Sequence, residues 1–175
     1  LEKLLEEIRH LSATDGLTGC YNRRALQDKL PEEIERAQRY HRPLAVVFMD
    51  IDHFKQFNDQ HGHQLGDEVL RSAAKHVAST LRQGVDWIAR YGGEEFVLVL
   101  PETPLEAAIA IAHRLCDALP EHAVPNPRGG SVYISASFGV TAYRPGEDAL
   151  ALLSRADTLV YQAKSAGRQQ VVAGA

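Results

Sequence analysis

Trp87-Ile88-Ala89-Arg90-Tyr91-Gly92-Gly93-Glu94-Glu95-Phe96-Val97-Leu98-Val99-Leu100 is the stretch on which the fold turns. Two runs of β-formers, Trp87 to Arg90 and Phe96 to Leu100, flank a turn and read as a β-hairpin. The adjacent glycines allow positive φ and carry no side chains, so a ligand can approach the backbone there. An ordinary hairpin turn with surface glutamates accounts for the same letters.

Working outward, Leu44 to Ile51 (LAVVFMDI) is a run of β-formers suited to a strand buried on both faces. A helix is expected from Arg23 to about Tyr40 before it. A short helical stretch near His53 to Gln60, a turn at Gly62 and a long helix from about Gly66 to Leu81 follow it. Beyond the hairpin come a helix from Pro104 to Leu119, a loop from Val124 to Gly130 and a strand from Val132 to Ala142. A helix from Asp148 to Ser165 and a short strand from Gln169 to Val172 complete the chain. The order, roughly β-α-α-β-β-α-β-α-β, points to an α/β (α+β) fold around a mixed sheet.

Residues 1–11 stand apart. Leu1, Leu4, Leu5, Ile8 and Leu11 share one helical face, opposite Glu2, Lys3, Glu6, Glu7 and Arg9. The pattern fits the end of a two-stranded coiled coil or signalling connector, with a helix packed on its own domain as the alternative. The chain opens on Leu1 in mid-helix pattern and reads as a piece of a longer protein. Residues 12–175 form the second unit.

The 175 residues are 45% hydrophobic and 24% charged, as in soluble globular domains. Nineteen Lys and Arg stand against 23 Asp and Glu, a net charge of −4, which excludes a surface built to hold nucleic acid. No apolar run approaches the roughly 18 residues that span a bilayer. Cys20 and Cys116 match no metal spacing and read as reduced thiols of a cytoplasmic domain.

Chemistry concentrates in three places. Asp50 and Asp52 sit at i and i+2 at the end of an apolar strand, so they project from one side of it. Burying such charges is costly unless a cation or solvent meets them, and an oxygen-only pair suits Mg²⁺ or Mn²⁺. A strand end dipping into water, with Asp52 capping the next helix, explains the pair equally. A hairpin-tip Glu beside Asp50 in one sheet can complete a divalent-metal site. In the second cluster, Asn58 and Asp67 offer the donors and acceptors a guanine edge needs, and Lys55 can meet a phosphate. Asp67 as a helix cap is the plainer alternative. His61 and His63 lack further ligands at zinc spacing. Near the end, Lys164 and Arg168 lie four apart and can reach one polyphosphate, or simply complete a helix end at Gly167.

Together these pieces resemble the GGDEF domain family of diguanylate cyclases, in its GGEEF variant. The signature reads Arg90-Tyr91-Gly92-Gly93-Glu94-Glu95-Phe96. The flanking blocks are Asp15-Gly16-Leu17-Thr18-Gly19 with Asn22-Arg23-Arg24, Asp50-Ile51-Asp52-His53-Phe54-Lys55, Asn58-Asp59, Gly62-His63 with Gly66-Asp67, Ala156-Asp157, Tyr161 with Ala163-Lys164, and Gly167-Arg168. They run in family order from about Ser12 to Val172.

The resemblance implies a palm-like nucleotidyl cyclase fold, with helices around a central mixed sheet that carries the GGEEF turn. It implies condensation of two GTP into cyclic di-GMP with release of two pyrophosphates. A homodimer is needed, each domain holding one GTP, as the output of a larger bacterial signalling protein whose upstream sensor is absent. The domain itself is expected in the cytoplasm, and attachment of the full-length protein at the inner membrane is compatible with this. By the resemblance, Asp50, the Ile51 carbonyl and Glu94 bind Mg²⁺ (or Mn²⁺), and Glu95 helps deprotonate the attacking 3′-hydroxyl. Lys55, counted with Glu95 as catalytic, holds phosphates with Lys164 and Arg168. Asn58 and Asp67 read guanine, His63 contacts substrate, and Phe54, Gly92 and Gly93 complete the substrate set. Asp52 is structural. An inhibitory product site is expected at Arg82 and Asp86, aided by Arg114, with one residue more than the usual Arg-x-x-Asp spacing taken up by a bulge at Gly84. A silent domain that binds GTP, cyclic di-GMP or a partner is the alternative. Such members usually lose a signature Gly or acid, and this chain keeps them all.

Overall fold

A computed structural model describes residues 1–175, apart from the side chains of residues 9–11. Helices α1 (Glu2–Leu11) and α2 (Arg23–Tyr40) precede strand β1 (Leu44–Ile51). Then come α3 (Phe54–His61), α4 (His63–Thr80), β2 (Trp87–Arg90), β3 (Glu95–Pro101) and α5 (Leu105–Ala118). A short 3₁₀ turn leads to β4 (Val124–Pro125), β5 (Ser131–Val132), β6 (Ala136–Ala142), α6 (Ala149–Ser165) and β7 (Val171–Gly174). The main sheet has the order β2-β3-β1-β6-β7. It is mixed: β6 and β7 run parallel, and the other neighbours antiparallel.

Central β1 is apolar throughout because both its faces are covered. Ala45, Val47, Met49 and Ile51 enter one core with α4 and α5. Leu44, Val46 and Phe48 enter the other with Leu26, Leu30 and Ile34 of α2 and Leu152, Ala156 and Val160 of α6. The helix α2 stripe at 26, 30, 34 and 37 repeats every turn, as a helix lying on a sheet requires. Leu26 and Leu30 are fully buried, so truncating either to Ala costs about 3 kcal/mol. Asn22 caps α2 through Ala25 N at 2.8 Å, and Asp148 caps α6 through Ala151 N at 2.8 Å.

Alternation also decides the site. Even-numbered residues of β1 and odd-numbered residues of β3 and β6 face α2 and α6. That puts Asp50, Asp52, Glu95, Ser135 and Ser137 on one side at one end of the sheet. Asp50 pairs in register with Glu95 on one side and Ser137 on the other.

Four expectations are corrected. The long helix begins at His63, because Gly62 at φ 89° ends α3 and restarts the chain at once. Asp67 is therefore inside α4 and caps nothing. The strand expected from Val132 to Ala142 is broken between β5 and β6, where Ser135 turns to Asp52. The loop from Val124 to Gly130 contributes β4, which pairs with β5. The last strand is displaced to Val171–Gly174.

Leu1, just before α1, and Leu4, Leu5 and Ile8 on it are exposed. The Leu11 side chain, counted in the same stripe, lies outside the described residues. Among the described residues no helix is long and apolar enough to cross a membrane.

Candidate active site

Three elements meet at Asp50: the end of β1, the β2–β3 turn, and the last turn of α6. Lys164 Nζ lies 3.0 Å from Asp50 Oδ1. Ile51 N donates to the Glu94 carbonyl at 3.2 Å, which locks the turn against the strand end. Burial pushes the Asp50 carboxyl up to about 6, Lys164 opposes the rise, and the charges of Glu94 and Glu95 add to it. Glu95 is raised as well, by burial first and then by Asp157 and Glu94, against Arg23 and Lys164.

This cluster has the chemistry of a cation site. Asp50 Oδ1 is buried, and the Lys164 ammonium stands 3.0 Å from it. Buried neighbouring carboxylates are relieved by a divalent ion, and an all-oxygen donor set suits Mg²⁺ or Mn²⁺. Among the described residues no three His, Cys, Asp or Glu side chains are gathered as a ready-made metal cluster.

The turn differs from expectation in its physics. Neither Gly92 nor Gly93 adopts the left-handed region. A β-carbon on Gly92 would stand 2.5 Å from Glu95 Oε1, the movable end of that side chain. Glu95 folds back over the turn, and its carbonyl accepts from Tyr91 N at 2.8 Å. Arg90 fastens the tip. Its guanidinium donates to Gly93 O at 2.8 Å and Gly92 O at 3.2 Å, and it bridges to Asp15 at 3.2 Å. Burial pulls Asp15 upward, but hydrogen bonds from Thr18 and the Arg90 charge outweigh it and leave the group below its usual range. Arg23 lies over the Tyr91 ring at 4.1 Å, and Tyr91 meets Phe48 edge-on.

The second cluster lies on α3 and α4, which follow directly after β1. Asn58 Oδ1 is buried without a donor. It lies where a β-carbon on Gly66 would be, beside Phe54. Asp67 is half-buried one residue further on, and Lys55 and His63 are exposed. Arg168 follows α6 in a left-handed turn, at φ 64°.

Arg82 and Asp86 are not part of this assembly. They lie at the opposite end of the hairpin, where Trp87 pairs with Val99. Arg82 donates to Asp86 at 2.7 Å and 3.0 Å, to Pro101 O at 2.7 Å and to Thr103 Oγ1 at 2.9 Å. The extra residue is absorbed by a turn, not by a β-bulge: Gly84 has φ 77°, and Arg82 O accepts from Val85 N and Asp86 N. Arg114 is exposed on α5.

Sequence reasoning assigned no role to Asp15, Arg23, Ser135 or Ser137. The serines carried a legible signal, two hydroxyls at i and i+2 before an apolar strand.

Comparison with known proteins decides the family. The profile described as diguanylate cyclase, GGDEF domain, matches residues 12–170. The chain belongs to the GGDEF domain family. It is 43% identical over 170 residues to Diguanylate cyclase DgcP of Pseudomonas aeruginosa, covering 95% of this chain and 25% of that protein. It is 41% identical over 174 residues to Response regulator PleD of Caulobacter vibrioides, covering 98% and 38%. The chain thus spans well under half the length of these relatives. The coiled coil and GGDEF domain of DgcB from Caulobacter crescentus, solved in complex with c-di-GMP, superposes with a TM-score of 0.89 at 30% identity. It covers 99% of this chain and 91% of that one. GGDEF diguanylate cyclases are metal-dependent.

Proposed function

We propose that this domain is a diguanylate cyclase, which joins two GTP into cyclic di-GMP and releases two pyrophosphates. The observation that carries the reading is the meeting of Asp50, Glu94, Glu95 and Lys164 around a buried carboxylate oxygen.

Asp50, Glu94 and the Ile51 carbonyl would hold Mg²⁺ (or Mn²⁺), which when bound neutralises charge on the triphosphate. Glu95, raised above the usual carboxylate range, is suited to accept the proton of the attacking 3′-hydroxyl. That oxygen forms the new bond to the α-phosphorus of the second GTP, and the bond to pyrophosphate breaks. The same exchange, with the roles reversed, closes the ring. Lys55, Lys164 and Arg168 hold the phosphates and offset their charge. Asn58 and Asp67 read the guanine edge, with Phe54 and His63 beside them. Gly92 and Gly93 leave the turn bare for close approach of the triphosphate.

Each domain carries one such half-site, so two copies must face each other. The exposed leucines of α1 are suited to a two-stranded connector that raises the effective concentration of the pair. The Arg82–Asp86 element, with Arg114, remains the candidate product site, at the far end of the hairpin.

The test is incubation with GTP and Mg²⁺ at high protein concentration, with nucleotides separated by chromatography. Cyclic di-GMP with twice as much pyrophosphate is expected. GTP bound but unchanged, also in a version fused to a strong coiled coil, would replace this reading with that of a nucleotide-binding module.

A further inference from the structure

Asp52 is only 6% exposed, yet it is a carboxylate at the end of an apolar strand. It does not cap the following helix, where His53 occupies the cap position. Its partners all come from the far half of the chain. Ser137 Oγ donates to Oδ1 at 2.6 Å and Ser135 Oγ to Oδ2 at 2.6 Å. Gln169 N donates to Oδ2 at 3.1 Å, and Lys164 Nζ to Oδ1 at 3.4 Å. Two hydroxyls, one amide and one ammonium make the burial of this charge tolerable.

The Gln169 contact falls on unusual backbone. Gly167, Arg168 and Gln169 follow one another at φ 120°, 64° and 46°. Left-handed conformation in two successive residues with side chains is costly and persists only where the surroundings hold it. Arg168 N is tied to Ala163 O at 3.0 Å, and Gln169 N is tied to Asp52. Asp52 therefore grips the chain on both sides of Arg168: at Lys164 on the helix, and at Gln169 just past the turn.

We infer that Asp52 is a positioning residue that sets Lys164 and Arg168 for the phosphates of the nucleotide, an inference that rests on the cyclase reading above. Lys164 is shared between Asp50 at 3.0 Å and Asp52 at 3.4 Å. When Asp50 is engaged by other ligands, Asp52 still holds the ammonium over the strand end. Arg168 is presented by a turn that the chain would not choose unaided. Fixed cations, whose geometry is settled before the substrate arrives, are what phosphoryl transfer asks of a protein. Ser135 and Ser137 belong to the same device, since they hold the two oxygens of Asp52 apart and aimed.

Asp52→Asn tests this, because the amide keeps the volume and removes the charge and one acceptor. Binding of GTP and of GMP is measured by calorimetry in EDTA, alongside the melting temperature and, with Mg²⁺, kcat and KM. Wild type is expected to bind GTP more tightly than GMP. In Asp52→Asn, GTP affinity should fall about tenfold while GMP affinity holds, as loss of a charge-assisted contact implies. Ser137→Ala, a milder change, should move the GTP-to-GMP ratio the same way and serves if the first variant does not fold. A purely structural role would lower the melting temperature and leave that ratio untouched, which overturns the inference. Equal wild-type affinity for GTP and GMP overturns it too. Wild type that makes no cyclic di-GMP, but whose triphosphate preference disappears in Asp52→Asn, contradicts the cyclase reading alone. An active cyclase with an unchanged ratio contradicts this inference alone.

Discussion

Asp50 and Glu95 face one another in register across neighbouring strands, the last residue but one of β1 opposite the first of β3. Two carboxylates so placed repel each other, and burial adds to the cost. The folded domain accepts this arrangement at the one edge where the hairpin turn, the strand end and α6 converge.

The cost is measurable in the absence of metal. The Asp50 carboxyl stands at about 6 in the folded protein against 3.8 for the free group, chiefly through burial. The folded state thus keeps its proton longer than the unfolded one. Stability in EDTA should fall as pH rises from about 4 to about 6 and level off above, by up to about 3 kcal/mol. Asp50→Asn should be the more stable protein at pH 7 by a similar amount. Denaturant titrations at several pH values should show that difference vanish near pH 3.5.

Gly66 makes a sharper case, because helix propensity and site geometry oppose each other. Alanine inside a helix is favoured over glycine by about 1 kcal/mol. Here its β-carbon would overlap Asn58 Oδ1. Gly66→Ala should therefore destabilise the domain by about 1 kcal/mol and raise KM for GTP about tenfold. A variant that melts higher with an unchanged KM would show that Asn58 is not held by this contact.

Arg90 carries the turn, and Asp15 carries Arg90. The pair is one-fifth exposed on either side, so its loss should cost no more than about 1 kcal/mol of stability. The effect on turnover should be larger, because the Arg90 hydrogen bonds to Gly92 and Gly93 fix the carbonyls beside Glu94. Asp15→Asn should lower kcat about tenfold with KM little changed. Steady-state kinetics beside thermal melts separates the two effects.

His76 and His122 stack with ring centroids 4.6 Å apart, and His76 Nε2 is buried without a partner. Burial, then the His122 charge, holds His76 below its ordinary value. The unfolded chain takes up the proton first, so stability is full above pH 6.5 and is lost as pH falls below it. His76→Gln should flatten that acid limb in a pH series of melts.

Much of this was legible in the sequence. LAVVFMDI could be read as a doubly covered strand because no polar residue interrupts it before Asp50. The helix expected from Arg23 to about Tyr40 has those bounds in the structure. The break after Val132 was not legible, since Tyr133 and Ile134 are themselves β-formers. It arises because Asp52, 83 residues away, accepts from the Ser135 hydroxyl at 2.6 Å, and its amide donates to the Ser135 carbonyl at 2.9 Å. Local letters could not show that Gly92 avoids positive φ or that Glu95 folds back beside it. The charges at Asp50 and Asp52 were visible, but their sharing of Lys164 depends on where α6 crosses the sheet.

The most direct test of the carboxylate centre is Glu95→Gln in the cyclase assay, with GTP binding measured on the same preparation. Turnover to cyclic di-GMP should fall at least about a hundredfold, as loss of a general base implies, while GTP affinity stays within about twofold. A variant that makes cyclic di-GMP at the wild-type rate would contradict the assignment of the chemistry to the Asp50–Glu95 end of the sheet.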